Sequence, residues 1–190
     1  MPNRFASRVL AIAALLLAGP CAHAASNTAS AASGTLSTSV NLQFSITIPR
    51  FVFLRVGAAA SVNTLTYAPT AAQMASGTGV LATGGDTGAG NSDVTVQVTG
   101  NTGNVTLTAV TGNPNLVSGG NTMPWSTLTA TSPTGSITAP PFNAGSTVLT
   151  AVGGVVNQTG SWRYTWTNPP STVYAAGTYS GTVTYTAAAP

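Results

Sequence analysis

The clearest pattern in the chain is an alternation of apolar and polar residues between positions 36 and 48. Serine, asparagine, glutamine and threonine occupy the odd positions, and Thr38 is the one break on the apolar, even side. A period of two is typical of a β-strand with one buried face, and Pro49 ends it. The predicted strand carries these apolar residues: Leu36, Val40, Leu42, Phe44, Ile46 and Ile48.

Further short strands follow. Residues 51–56 and 62–67 predict two of them, and the glycine-rich stretch 68–92 predicts a long loop or irregular segment. Alternating valines at 94–98 and apolar residues at 105, 107 and 109 flank Asn101-Thr102-Gly103-Asn104, which predicts a hairpin. The remaining strands are predicted over residues 125–130, 147–151, 161–167 and 178–186.

This pattern indicates the fold class. About eight or nine short strands, turns rich in glycine and proline, and no amphipathic helix predict an all-β protein. We expect one domain over residues 35–190, an antiparallel sandwich of immunoglobulin-like type.

The N-terminus has the pattern of a secretory signal peptide. Arg4 and Arg8 precede an apolar run, and Ala22-His23-Ala24 fits the small-residue cleavage rule. We therefore expect a signal peptide over residues 1–24, a flexible leader over 25–34, and secretion of the rest without an integral membrane segment. The alternative, lipidation at Cys21, fits poorly because Pro20 precedes it.

Composition narrows the function classes. The chain is 43% hydrophobic and 4% charged, with no lysine and no glutamate. Cleavage after Ala24 would remove the single histidine and the single cysteine, so the mature chain would have no disulfide. The mature chain would have a net charge of +1, which is too small for a surface that binds nucleic-acid phosphates. The scarcity of ionisable groups argues against an enzyme or a cofactor site. The charged residues left are Arg50, Arg55, Arg163, Asp86 and Asp93.

The glycine-rich loop 84–93 is the one candidate metal site. Asp86 and Asp93 supply carboxylates there, but calcium takes six to eight oxygen ligands and the spacing matches no known calcium loop. We interpret Asp86 as a turn residue and Asp93 as a strand start, and expect no metal site, although the sequence leaves calcium at this loop open. Either aspartate could also form an ion pair with Arg50 or Arg55 if these arginines were partly buried.

Three tryptophans are candidate ligand residues. Trp162 and Trp166 share one face of a predicted strand with Tyr164, and Trp125 follows a proline. Exposed rings of this kind can stack on sugars, whereas in a sandwich the same alternation more often fills the core. We favour the core for this stripe, and Trp125 is open to both interpretations.

The C-terminal stretch 176–186, Ala-Gly-Thr-Tyr-Ser-Gly-Thr-Val-Thr-Tyr-Thr, resembles the final strand of bacterial fimbrial and spore-coat-U-like subunits. The resemblance implies a pilin-like sandwich that is exported through a periplasmic chaperone and an outer-membrane usher and that donates a strand to the next subunit. The chain departs from spore-coat-U-like subunits because its mature part has no cysteine pair. Its leader 25–34 also lacks large apolar residues, so either segment 36–48 is itself the donor or the subunit donates nothing.

The function expected from these features is a structural subunit or accessory of a bacterial surface fibre, assembling by strand addition. Its partners would be other fimbrial subunits or further copies of itself. The alternative is a secreted module that binds glycans or surfaces through Trp125, Trp162 or Trp166.

Overall fold

A computed structural model describes residues 26–58, 63–86 and 93–190, and the predicted signal peptide lies outside this part. Strands dominate the described residues and helix is almost absent, so the fold is all-β, as the sequence predicts. The chain divides into two units, residues 1–48 and residues 49–190. All strands and helices of the described part belong to the second unit.

Twelve strands and one α-helix are present in the described residues. They are β1 Val52–Val56, β2 Leu65–Thr66, α1 Ala71–Ser76, β3 Val80–Leu81, β4 Thr83–Gly84, β5 Asp93–Gly100, β6 Val105–Thr111, β7 Asn115–Ser118, β8 Asn121–Pro124, β9 Leu128–Thr134, β10 Ser146–Leu149, β11 Val156–Trp166 and β12 Val183–Ala188. A 3-10 helix over Trp125–Thr127 precedes β9.

The larger sheet has the order β1-β5-β11-β3, and β9 also pairs with β11. All these pairs are antiparallel. Its central strands β5 and β11 bury alternate residues, because successive side chains of a strand point to opposite faces. Val96, Val98 and Trp162 are fully enclosed on the inner face.

The second main sheet has the order β10-β6-β12. Val105 and Leu107 of β6 and Leu149 of β10 join Trp162 of the larger sheet in one core cluster. A smaller cluster forms around Trp125 and Trp166 and includes Leu116 of β7 and Met123 of β8. The two main sheets therefore contribute to one core cluster.

The predicted hairpin between residues 93 and 109 is wrong. β5 pairs with β1 and β11, and β6 pairs with β10 and β12, so the turn at 101–104 connects two different sheets. Both strands still bury their alternate residues, as predicted. The alternation could not distinguish the two connections, because a hairpin and an arch between sheets give the same inward face.

Other elements differ in extent. Segment 68–92, predicted as a loop, contains α1, β3 and β4. The helix begins at a reciprocal capping box between Thr70 and Gln73, and it ends at Gly77, which adopts the left-handed conformation. The strand predicted from residue 125 begins with a 3-10 turn, and the strand predicted from residue 178 begins at Val183.

Candidate functional site: an unpaired segment and two open strand edges

The alternating segment 36–48 forms no strand in the structure. Its six large apolar side chains are 52 to 87% exposed, with Phe44 and Ile46 at the upper end of this range. Exposed apolar residues are normal when scattered, but a contiguous row of them marks an interaction surface. The apolar face of segment 36–48, which the sequence predicts to be buried, is therefore exposed in the single chain. Residues 26–34, the predicted leader, also form neither helix nor strand.

Strand β1 lies at the end of the larger sheet and leaves one edge open in the described part of the chain. The amide of Asn101 donates to the carbonyl of Phe51 at 3.3 Å, and the amide of Gly57 donates to that of Thr95 at 2.7 Å. Odd positions of β1 therefore bond to β5. Because backbone groups alternate in direction along a strand, the even positions 52, 54 and 56 direct theirs to the open edge.

Strand β12 lies at the end of the second sheet, and its outer edge has no ladder partner among the described residues either. The two end strands are neighbours, with Cα atoms of β1 and β12 within 8 Å of each other. Their inward side chains Leu54, Val56, Tyr185 and Ala187 pack on the core but stay partly exposed. We call the gap between β1 and β12 the edge groove.

Tyr185 attaches β12 to the core. Its hydroxyl lies 2.7 Å from that of Tyr164 on β11, and its ring centroid lies 5.0 Å from that of Trp162. Burial raises the pKa of Tyr164, and neighbouring Tyr185 raises it further; burial also raises the pKa of Tyr185. Both hydroxyls are therefore neutral at physiological pH, and one hydrogen bond joins the two sheets beside the groove.

The chain entering β1 is fixed by Asn101. The Asn101 side chain accepts a hydrogen bond from the amide of Phe51 at 2.9 Å and donates one to the carbonyl of Pro49 at 2.9 Å. The guanidinium of Arg50 donates to the carbonyl oxygen of Pro190, beyond the end of β12. The sequence predicts a turn at Asn101 and contains no sign of this role.

The candidate ligand tryptophans are buried. Trp162, Trp166 and Trp125 are 0, 5 and 8% exposed, and each indole N–H bonds inside the protein. The stripe of Trp162 and Trp166 therefore fills the core and presents no face to a sugar. A shallow cavity of about 390 Å³ lies beside Trp125 and is also lined by Phe142, but the indole itself contributes little exposed surface to it.

The charged residues form local structure. Arg163 binds the carboxylate of Asp93 through two nitrogens, at 2.6 and 2.9 Å, and this hydrogen bonding raises the pKa of the guanidinium. Arg163 and Asp93 are direct neighbours in the β5–β11 register. Asp93 is thus paired with Arg163, where the sequence suggested Arg50 or Arg55.

The loop with Asp86 has a structural use. The Asp86 carboxylate accepts the amide of Thr95 at 2.6 Å, and its own amide donates to the carbonyl of Asp93 at 3.1 Å. Residues 87–92 of the candidate calcium loop lie outside the described part. Within that part, no cluster of three or more histidine, cysteine or acidic residues is suited to a metal ion.

Comparison with protein-family models, with curated proteins and with solved structures returned no match. The resemblance of residues 176–186 to fimbrial subunits therefore stays a sequence-based expectation. No helix in the described residues is long and apolar enough to cross a membrane.

Proposed function

We propose that this protein is a structural subunit or accessory of a bacterial surface fibre, and that it assembles by strand addition between copies. Segment 36–48 of one copy acts as the donor and the edge groove of another copy accepts it. The observation that carries the proposal is the presence, in one chain, of an exposed alternating segment and of two adjacent strand edges without partners.

Backbone chemistry supports this pairing. An added strand would bond to the open positions of β1 or to the outer edge of β12. Natural proteins protect such edges with lysine, proline or bulges, and the chain has no lysine at all. A partner strand would cover either of these edges.

Side-chain chemistry supports it as well. The apolar side chains of segment 36–48 share one face, and the partly exposed inward side chains of the groove, such as Leu54 and Val56, are apolar too. Fully burying a residue such as Phe44 or Ile46 contributes about 1.5–3 kcal/mol. The polar row of the segment would then face solvent, so no charged or polar group is buried without a partner.

An open edge also favours a role for the export partners that the C-terminal resemblance implies. Long uncharged strands aggregate when their edges are free. A periplasmic chaperone that covers the groove until an outer-membrane usher joins the subunits would prevent this. We place both proteins among the expected partners, with secretion through the predicted signal peptide and a final location at the cell surface.

The test measures the association state of the mature chain by size-exclusion chromatography with light scattering. We expect concentration-dependent assembly of the native chain and its loss in Ile46→Asp, because the charge would have to enter the groove. The matched control is Thr47→Asp, which places the same charge on the opposite face and is expected to assemble. Equal behaviour of the two variants would contradict the proposal.

A further inference from the structure

The connection between segment 36–48 and β1 is very short, consisting of Pro49, Arg50 and Phe51. Parallel neighbours need a crossover of about a dozen residues or more, so the segment can pair with β1 of its own chain only as an antiparallel hairpin. Whether such self-insertion is allowed decides whether the segment stays free for another copy.

A tight hairpin is blocked by backbone conformation. Its two turn residues would be Ile48 and Pro49, flanked by Thr47 and Arg50, because even positions direct their backbone groups to the open edge. Two-residue hairpins use turns with a positive φ at the first central residue, which a β-branched isoleucine adopts poorly. In the type I′ turn the second residue also needs a positive φ, and proline is fixed near −65°.

The same hairpin would also bury the wrong row of side chains. With Thr47 opposite Arg50, Ser45 falls opposite Val52 and Gln43 opposite Leu54. Directly opposed residues of an antiparallel pair lie on the same face. Because Leu54 faces the core, the polar row would point inward and the apolar row outward.

Registers with the correct faces place Ile46 opposite Arg50, with the turn at residues 47–49, or move the turn onto residues 49–51. The third residue of a three-residue turn is left-handed, a conformation that Pro49 cannot adopt, so the turn is forced into residues 49–51. The Asn101 side chain holds this stretch through the carbonyl of Pro49 and the amide of Phe51, and the Asn101 amide bonds to the carbonyl of Phe51. The carbonyl before Arg50 and the amide after it point to one side only when the backbone is extended. A turn there would break all three hydrogen bonds.

We infer that Pro49 and Asn101 form an exit clamp that prevents a subunit from inserting segment 36–48 into its own groove. The clamp keeps the donor available for a second copy of the chain, so this inference rests on the proposed function. Pro49 and Asn101 act as positioning residues, since neither lies in the donor segment or on the groove-facing side of β1 and β12.

The test moves the turn upstream of the clamp. Insertion of Gly-Ser-Asn-Gly-Ser between Ile48 and Pro49 lets the chain reverse while Asn101 keeps its bonds. We expect this variant to lose assembly and to stay monomeric, because its segment can now fill its own groove in the correct register. The matched control carries the same insertion between Gly34 and Thr35 and is expected to assemble like the native chain.

A second measurement reads self-insertion directly in the monomers. In the insertion background, Ile46→Asp is expected to lower the melting temperature by about 5 °C or more, because Ile46 is buried in the same chain. In the native-length monomer at high dilution the same change should shift it by less than about 1 °C.

Two results would overturn the clamp: no effect of Ile46→Asp in the insertion background, or an equal effect in both backgrounds. Failure of the native chain to assemble at any concentration would instead contradict the proposed function. The melting comparison would still decide the clamp in that case.

Discussion

Replacement of Gly181 by alanine is expected to destabilise the protein through a steric clash. A Cβ at Gly181 would lie 2.5 Å from Cζ2 of Trp125 and 3.0 Å from a terminal carbon of Leu116. Both side chains are buried in the smaller core cluster. The indole would have to move by about 1 Å to restore van der Waals contact, which lies at about 3.5 Å or more between carbons.

Overpacking of a well-packed core costs about 1–3 kcal/mol. For a domain of this size we therefore expect the melting temperature to fall by about 3–10 °C. The matched control is Gly120→Ala, because a Cβ at Gly120 meets no heavy atom within 4 Å and its φ is not positive. That variant should be neutral or slightly stabilised, since alanine reduces the freedom of the unfolded chain.

The assay is thermal and urea unfolding of both variants, followed by tryptophan fluorescence. Equal stabilities of Gly181→Ala and Gly120→Ala would refute the close approach of the 176–182 stretch to Trp125. Gly181 lies within the stretch that resembles fimbrial subunits, so the result also tests a physical reason for glycine at this position.

Three further results are expected. Phe44→Ser should weaken association about tenfold or more. The ring is 81% exposed in the single chain, and serine would remove most of the free energy that its burial contributes on association. Gln43→Ser should change association little, and sedimentation analysis tests both variants. The raised pKa values of Tyr164 and Tyr185 mean that their contribution to stability is fully present below pH 10 and is lost as pH rises above it. Urea unfolding from pH 8 to 11.5 should show this fall, and the fall should be smaller in Tyr164→Phe/Tyr185→Phe. Trp162→Ala should cost about 3–5 kcal/mol, measured by denaturant unfolding.

Much of the core was predictable from the sequence. The alternating residues Val94, Val96 and Val98 are buried as expected, and so is Trp162, because a period of two assigns residues to the faces of a strand wherever the strand pairs. The partner of each strand was not predictable. β5 bonds to β1 and β11, which are distant in sequence, and local alternation contains no information about such pairing.

The candidate site was predictable in part. The apolar row around Phe44 and Ile46 is evident in the sequence, but whether it is a core strand or a donor depends on which sheet edges are already occupied. The edge groove could not be predicted, because it results from β1 and β12 each lying at the end of a sheet. The role of Asn101 was also hidden, since asparagine next to glycine is typical of an ordinary turn.

Hydrogen–deuterium exchange of segment 36–48, followed by mass spectrometry in assembled and in diluted monomeric protein, tests strand donation most directly. Backbone amides that join a ladder are protected, and unpaired amides exchange rapidly. We predict rapid exchange of the segment in the monomer, and strong protection of the segment together with β1 and β12 in the assembled state. Rapid exchange of the segment in both states would contradict it.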